Sequence, residues 1–172
     1  GLCLETDLDA KQDDYLRKVD GAANALRTII DDILDFSKIE AGKLAIVSED
    51  FSLRSLTDAV VEVVAHRDLD KKITLAAIIH HDVPTKVKGD AQRMRQVLMN
   101  LAGNAVKFTT SGHVAVYVRG QKFHDDTKVK IEISVEDTGI GLREEDLEHL
   151  FKPFSQVDSS MNRKYGGTGL GL

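Results

Sequence analysis

The sequence predicts an α+β chain: a two-layer α/β sandwich with a mixed sheet, preceded by one long bundle-forming helix. Three observations predict it. The first forty residues carry apolar side chains at alternating spacings of three and four. From Lys43 onward, runs of period two alternate with runs of period 3.6. The length, 172 residues with 42% apolar side chains, is room for one domain plus a small appendage at roughly 100–200 residues per domain.

The appendage comes first. Leu16, Val19, Ala23, Leu26, Ile30 and Ile33 follow the a/d pattern of a heptad, and Tyr15, Ala22, Ile29 and Phe36 form a second line beside it. Asp9 followed by Gln12 has the form of a capping box and Gly42 supplies a stop, so the helix is expected over 10–41. Such a helix has no core of its own and needs partner helices, in a bundle completed by a second subunit, unless it packs on its own domain. The boundary is placed after residue 42, with 1–42 as the helical part and 43–172 as the α/β part. In the latter a strand is expected at 43–47, a helix begun by Ser52 at 53–69, and a strand at 73–79. A helix begun by Asp90 follows at 91–106, then strands at 112–119 and 128–136, and a short helix at 143–150. The last two strands are joined by a polar segment of hairpin character and are expected to be antiparallel.

Lys and Arg number 23 and Asp and Glu 28, a net charge of -5, which argues against a nucleic-acid or anionic-membrane binder steered by its overall field. The longest apolar run, Leu75 to Ile79, is far below the ~18 residues of a bilayer span. A single cysteine, Cys3, excludes an internal disulfide.

Three constellations could carry chemistry. On the helix begun by Asp90, the polar residues Arg93, Gln96, Asn100, Asn104 and Lys107 fall in one narrow wedge beside an apolar face. Amide oxygens at i and i+4 can ligate magnesium and the lysine can meet phosphate, though a solvated face with chance asparagines has the same pattern. On the strand at 128–136 the odd positions Val129, Ile131, Ile133 and Val135 face the core, and Asp137 continues their phase. A carboxylate directed inward there could accept from an exocyclic amino group, with Gly139 and Gly141 allowing close backbone approach; the alternative is a bulge that swings Asp137 outward. The third is Arg163-Lys164-Tyr165-Gly166-Gly167-Thr168-Gly169-Leu170-Gly171-Leu172, a glycine-rich segment suited to an anion but lacking the ending of a Walker A loop. His80 and His81, neighbours at a strand end, read as a surface pair with diverging side chains.

Together these segments resemble the sensor histidine kinases. Asn100 to Thr109 is similar to their N box, Asp137 to Gly141 to their first glycine box, Phe151-Lys152-Pro153-Phe154 to their F box and Gly167 to Leu172 to their second glycine box. Asp32 to Leu44 resembles the end of the second helix of their dimerisation hairpin, especially in hybrid kinases. The resemblance implies the ATP-binding fold shared with gyrase, Hsp90 and MutL, and a transfer of the ATP γ-phosphate to a histidine for relay to the aspartate of a response-regulator receiver domain.

It further implies that Asn104 binds Mg2+, that Asp137 receives the adenine amino group, and that Asn100, Lys107, Gly139, Gly141, Arg163, Lys164, Gly167, Thr168, Gly169, Leu170 and Gly171 line the ATP site. Where ATPase relatives hold a water-activating carboxylate, this chain holds Asn100, which favours transfer over hydrolysis. An ATP hydrolase of the same fold and a degenerate nucleotide-binding module are the alternatives. None of His66, His80, His81, His113, His124 or His149 lies in a Ser-His-Glu context. The acceptor histidine is therefore expected upstream of Gly1, and the chain by itself is not expected to autophosphorylate. A cytoplasmic location for this fragment, with a membrane anchor left open for the full-length protein, a homodimer through helix 10–41 in the full-length protein, and no contact of this fragment with nucleic acid or membrane complete the expectations.

Overall fold

The structure, a computed structural model, describes residues 2–66, 71–122 and 128–147. The chain divides into two compact units, Gly1–Ala45 and Ile46–Leu172.

The first unit is a 3-10 turn at Leu2–Glu5 followed by helix α1, Ala10–Glu40. Its ends are closed by local chemistry. The Asp9 carboxylate accepts from the Lys11 and Gln12 amides, each at 2.9 Å, and the Gln12 side chain accepts from the Asp9 amide at 3.0 Å, so the capping box is complete. At the other end Gly42 takes φ +63°. Its amide donates to the Ile39 carbonyl at 2.9 Å and that of Lys43 to the Lys38 carbonyl at 2.8 Å, a Schellman closure. No residue of α1 is buried, and Val19, Leu26, Ile30 and Ile33 on the heptad line are exposed.

The second unit contains β1 (Glu49–Phe51), α2 (Leu53–Ala65), β2 (Lys72–Ile79), β3 (Val87–Gly89), α3 (Ala91–Phe108), β4 (Ser111–Lys122), β5 (Val129–Asp137) and α4 (Glu144–Leu147). The sheet β2-β4-β5 is mixed: β2 runs parallel to β4, and β4 runs antiparallel to β5. The helices α2 and α3 lie on it. Leu53, Leu56, Val60 and Val64 of α2, with Leu98, Ala102, Ala105 and Val106 of α3, enclose a core with Val114, Val116 and Val118 of β4. Those β4 residues have period two and the α2 residues period 3.6, as two packed layers require.

The expected strand at 43–47 does not form. That segment is irregular and is held instead by Asp90, whose carboxylate accepts from the Val47 amide at 3.0 Å while capping α3 through the Arg93 amide at 2.9 Å. These bonds, first that of Arg93 and then that of Val47, lower the Asp90 pKa from its ordinary value. The short antiparallel pair β1–β3 forms in place of that strand, Glu49 facing Gly89. Helix α2, capped by the Ser52 hydroxyl, ends at Ala65 rather than at 69; residues 67–70 lie outside the described residues, as do 148–150 of the expected last helix.

His80 and His81 do not diverge. A turn follows β2, so the alternation of a strand no longer separates the two side chains, and their rings lie 4.3 Å apart with His80 Nδ1 2.9 Å from Asp82 Oδ1. Among the described residues no helix is long and apolar enough to cross a membrane.

Candidate functional site

Helix α3 presents Asn100, Asn104 and Lys107 one turn apart, all half-buried. The polar line that contains them splits in two. Arg93 Nη1 donates to Gln96 Oε1 at 2.8 Å, so these two side chains bond to each other. Among the described residues the amides of Asn100 and Asn104 have no hydrogen-bond partner. A half-buried amide with no protein partner is left to water, and two such groups at i and i+4 leave a place for a ligand that supplies donors or a hard cation. Lys107 Nζ sits 4.9 Å from the centre of the Phe108 ring, and burial lowers its pKa.

Asp137 closes β5. Strand pairing runs unbroken from Lys122 opposite Val129 to Val114 opposite Asp137, so no bulge intervenes and Asp137 shares a sheet face with Val135 and Ile133. Unlike those residues it is solvent-exposed. Its Oδ1 accepts from the Gly139 amide at 2.8 Å, an Asx turn that opens the glycine loop.

The loop is tied to the end of α3. The Ile140 amide donates to the Phe108 carbonyl at 3.4 Å, and a Cβ on Gly139 would stand 2.5 Å from that same oxygen. Only glycine fits this approach. Gly141 has φ +67°, a left-handed conformation that glycine adopts without strain. Thr138 anchors the loop to β4: its hydroxyl accepts from the His113 amide at 2.9 Å and donates to the His113 carbonyl at 3.3 Å. The structure thus brings the end of α3, Asp137, Gly139 and Gly141 into one neighbourhood. Arg163, Lys164, Gly167, Thr168, Gly169, Leu170 and Gly171, like the Phe151–Phe154 segment, lie outside the described residues.

The sequence reading missed two residues. Thr138 stands within a noted motif, but nothing in its spacing announces a bond to a residue 25 positions away. Lys71 gives no pattern signal, yet its ammonium group donates to the Val106 carbonyl at 2.8 Å and the Lys107 carbonyl at 3.1 Å.

Known proteins resemble this chain in sequence and in fold. The family described as histidine kinase-, DNA gyrase B-, and HSP90-like ATPase matches residues 89–172, and the His Kinase A (phospho-acceptor) domain matches residues 1–42. The chain thus carries an ATPase domain of the first family and a phospho-acceptor domain of the second, and its curated relatives are sensor histidine kinases. Among these kinases the signal transduction histidine-protein kinase BarA of Escherichia coli is 47% identical over 171 residues, 99% of this chain and 18% of BarA. Hybrid signal transduction histidine kinase B of Dictyostelium discoideum is 42% identical over 97% of this chain and 8% of its own length. The crystal structure of full-length ShkA in complex with AMPPNP superimposes with a TM-score of 0.75 at 28% identity, covering 98% of this chain and 33% of that kinase. The chain therefore spans less than a fifth of the length of these two curated kinases.

Proposed function

We propose that residues 43–172 bind ATP with Mg2+ and transfer its γ-phosphoryl group to a histidine of the phospho-acceptor domain, for relay to the aspartate of a response-regulator receiver domain. The observation that carries this reading is the pair of amides at Asn100 and Asn104, without a partner among the described residues, on the helix to which the glycine loop is bound. Asp137 accepts from the adenine amino group, using carboxylate capacity beyond the one bond that Gly139 takes. Lys107 meets the phosphates, where its partly desolvated ammonium is a stronger electrostatic partner than one in bulk water. Asn104, with Asn100 one turn before it, offers the neutral oxygen that suits a magnesium ion. A magnesium ion held there would supply neutralisation of charge on the phosphate oxygens. Gly167 to Gly171, with Arg163 and Lys164, complete the phosphate side.

In the transfer a P–N bond forms to the imidazole and the bond to the β-phosphate oxygen breaks, releasing ADP. Hydrolysis is the competing reaction, and it needs a base for water. The amide of Asn100 cannot take that proton, which favours transfer. Helix 10–41 supplies the contact between two copies, because its heptad line is exposed and apolar.

Calorimetric titration of the chain with ATP, with and without magnesium and paired with a phosphate-release assay, tests the reading. Magnesium-dependent binding with negligible free phosphate is expected. Steady turnover points to the hydrolase, and absence of binding to the degenerate module.

A further inference from the structure

A helix ends with carbonyls that have no helical donor, and something must satisfy them. Helix α1 does so with its own backbone, through the Schellman closure at Gly42 and Lys43. Helix α3 does not, because the chain leaves it at Thr109 in an extended conformation, φ −98° and ψ 123°, and runs on into β4. After the Thr109 amide has bonded to Ala105, the carbonyls of Val106, Lys107 and Phe108 remain. Phe108 is taken by the Ile140 amide of the glycine loop, and Val106 and Lys107 are both taken by the Lys71 ammonium. Lys71 reaches them because it directly precedes β2, whose parallel register sets Lys72 opposite Ser111, where the chain has just left α3. A cation at this place also meets the negative end of the helix dipole.

Two of the three carbonyls thus depend on one side chain 35 or more residues away, and the third carries the glycine loop. The turn that holds them also holds Lys107 and lies one turn beyond Asn104. We propose that Lys71 is a positioning residue for the nucleotide: by holding the Val106 and Lys107 carbonyls it sets the last turn of α3, and with it Lys107 and the loop bound to Phe108, in the pose that receives a nucleoside triphosphate. This rests on the ATP reading above. Its physical content is that a misplacement of about 1 Å at a site of converging groups costs far more than the bond that caused it.

The test uses the whole chain as Lys71→Met, Lys71→Arg and Lys72→Met, the last removing a neighbouring charge that makes neither bond. ATP affinity is measured by calorimetry, and amide hydrogen exchange is followed on the nucleotide-free chain. Lys71→Met is expected to lose about tenfold in ATP affinity, the size of one charge-assisted hydrogen bond, and to speed exchange of the Ile140 amide. Lys71→Arg keeps the donors and restores both; Lys72→Met changes neither. If Lys71→Met does not fold, Lys71→Gln, which keeps one weaker neutral donor, is read the same way. Lowered thermal stability with unchanged ATP affinity, or unchanged exchange at Ile140, overturns the proposal and leaves Lys71 a helix cap. Failure of the unsubstituted chain to bind ATP overturns the nucleotide reading and this inference with it.

Discussion

Asp137 is exposed on a face whose other members are half-buried, and one of its oxygens is committed to the Gly139 amide. Asparagine in its place keeps the size but puts a donor where only acceptors stand. Asp137→Asn is therefore expected to weaken ATP by about 1–3 kcal/mol, as an altered hydrogen-bond partner does, and to erase the preference for ATP over GTP. Titration with both nucleotides checks this; a preference that survives assigns adenine recognition elsewhere. Lys107 gives a pH dependence with a definite sign. Burial lowers its pKa, and the protonated form is the one that attracts phosphate. ATP affinity should accordingly fall as pH rises, beginning below the usual lysine value of about 10.4. The same titration on Lys107→Arg, whose guanidinium stays charged, should show a flat profile through that range, and a parallel fall in both proteins would assign the effect to another group.

At the scale of elements, the contact between the end of α3 and the glycine loop depends on the absence of one side chain. A Cβ at Gly139 would stand 2.5 Å from the Phe108 carbonyl oxygen and 2.8 Å from Asp137 Oδ1. Gly139→Ala must separate the loop from the helix. The expected result is a large loss of ATP binding with a smaller loss of stability, read from calorimetry and thermal unfolding, because the buried core does not include the loop. The long elements were legible beforehand for a local reason. The starts of α1, α2 and α3 are written by Asp9 with Gln12, Ser52 and Asp90, residues whose side chains bond to amides within three positions. The β1–β3 pair was not legible. Each strand has three residues, too few for a period, and its partner lies about forty residues away. The run at 43–47 has an apolar character that suggested a strand, but its amides bond to the end of α1, at the Lys38 carbonyl, and to the Asp90 side chain rather than to a neighbouring strand. The site followed the same division. Asn100, Asn104 and Lys107 stand out as a polar wedge beside an apolar face and Asp137 as a charge in a core-facing phase, whereas Lys71 and Thr138 act through the backbone of distant residues and mark no pattern.

At the scale of the whole molecule, α1 bears a line of exposed Val19, Leu26, Ile30 and Ile33 that water solvates poorly. Sedimentation of the full-length protein should show a dimer. Leu26→Glu with Ile30→Glu should abolish it, and a strict monomer at high concentration would refute the bundle. The mixed sheet has a consequence in time. Strands β4 and β5 are joined by a short connection and can pair soon after collapse, while β2 must wait for a partner that follows it by nearly forty residues, across β3 and α3. Closing the longer loop is the slower step. Pulse-labelled exchange during refolding is therefore expected to protect β5 amides before those of β2. Because Lys71 arrives with β2, a chain emerging from the ribosome would make its nucleotide pocket last, and ligand added early would find the hairpin formed but nothing yet able to hold it.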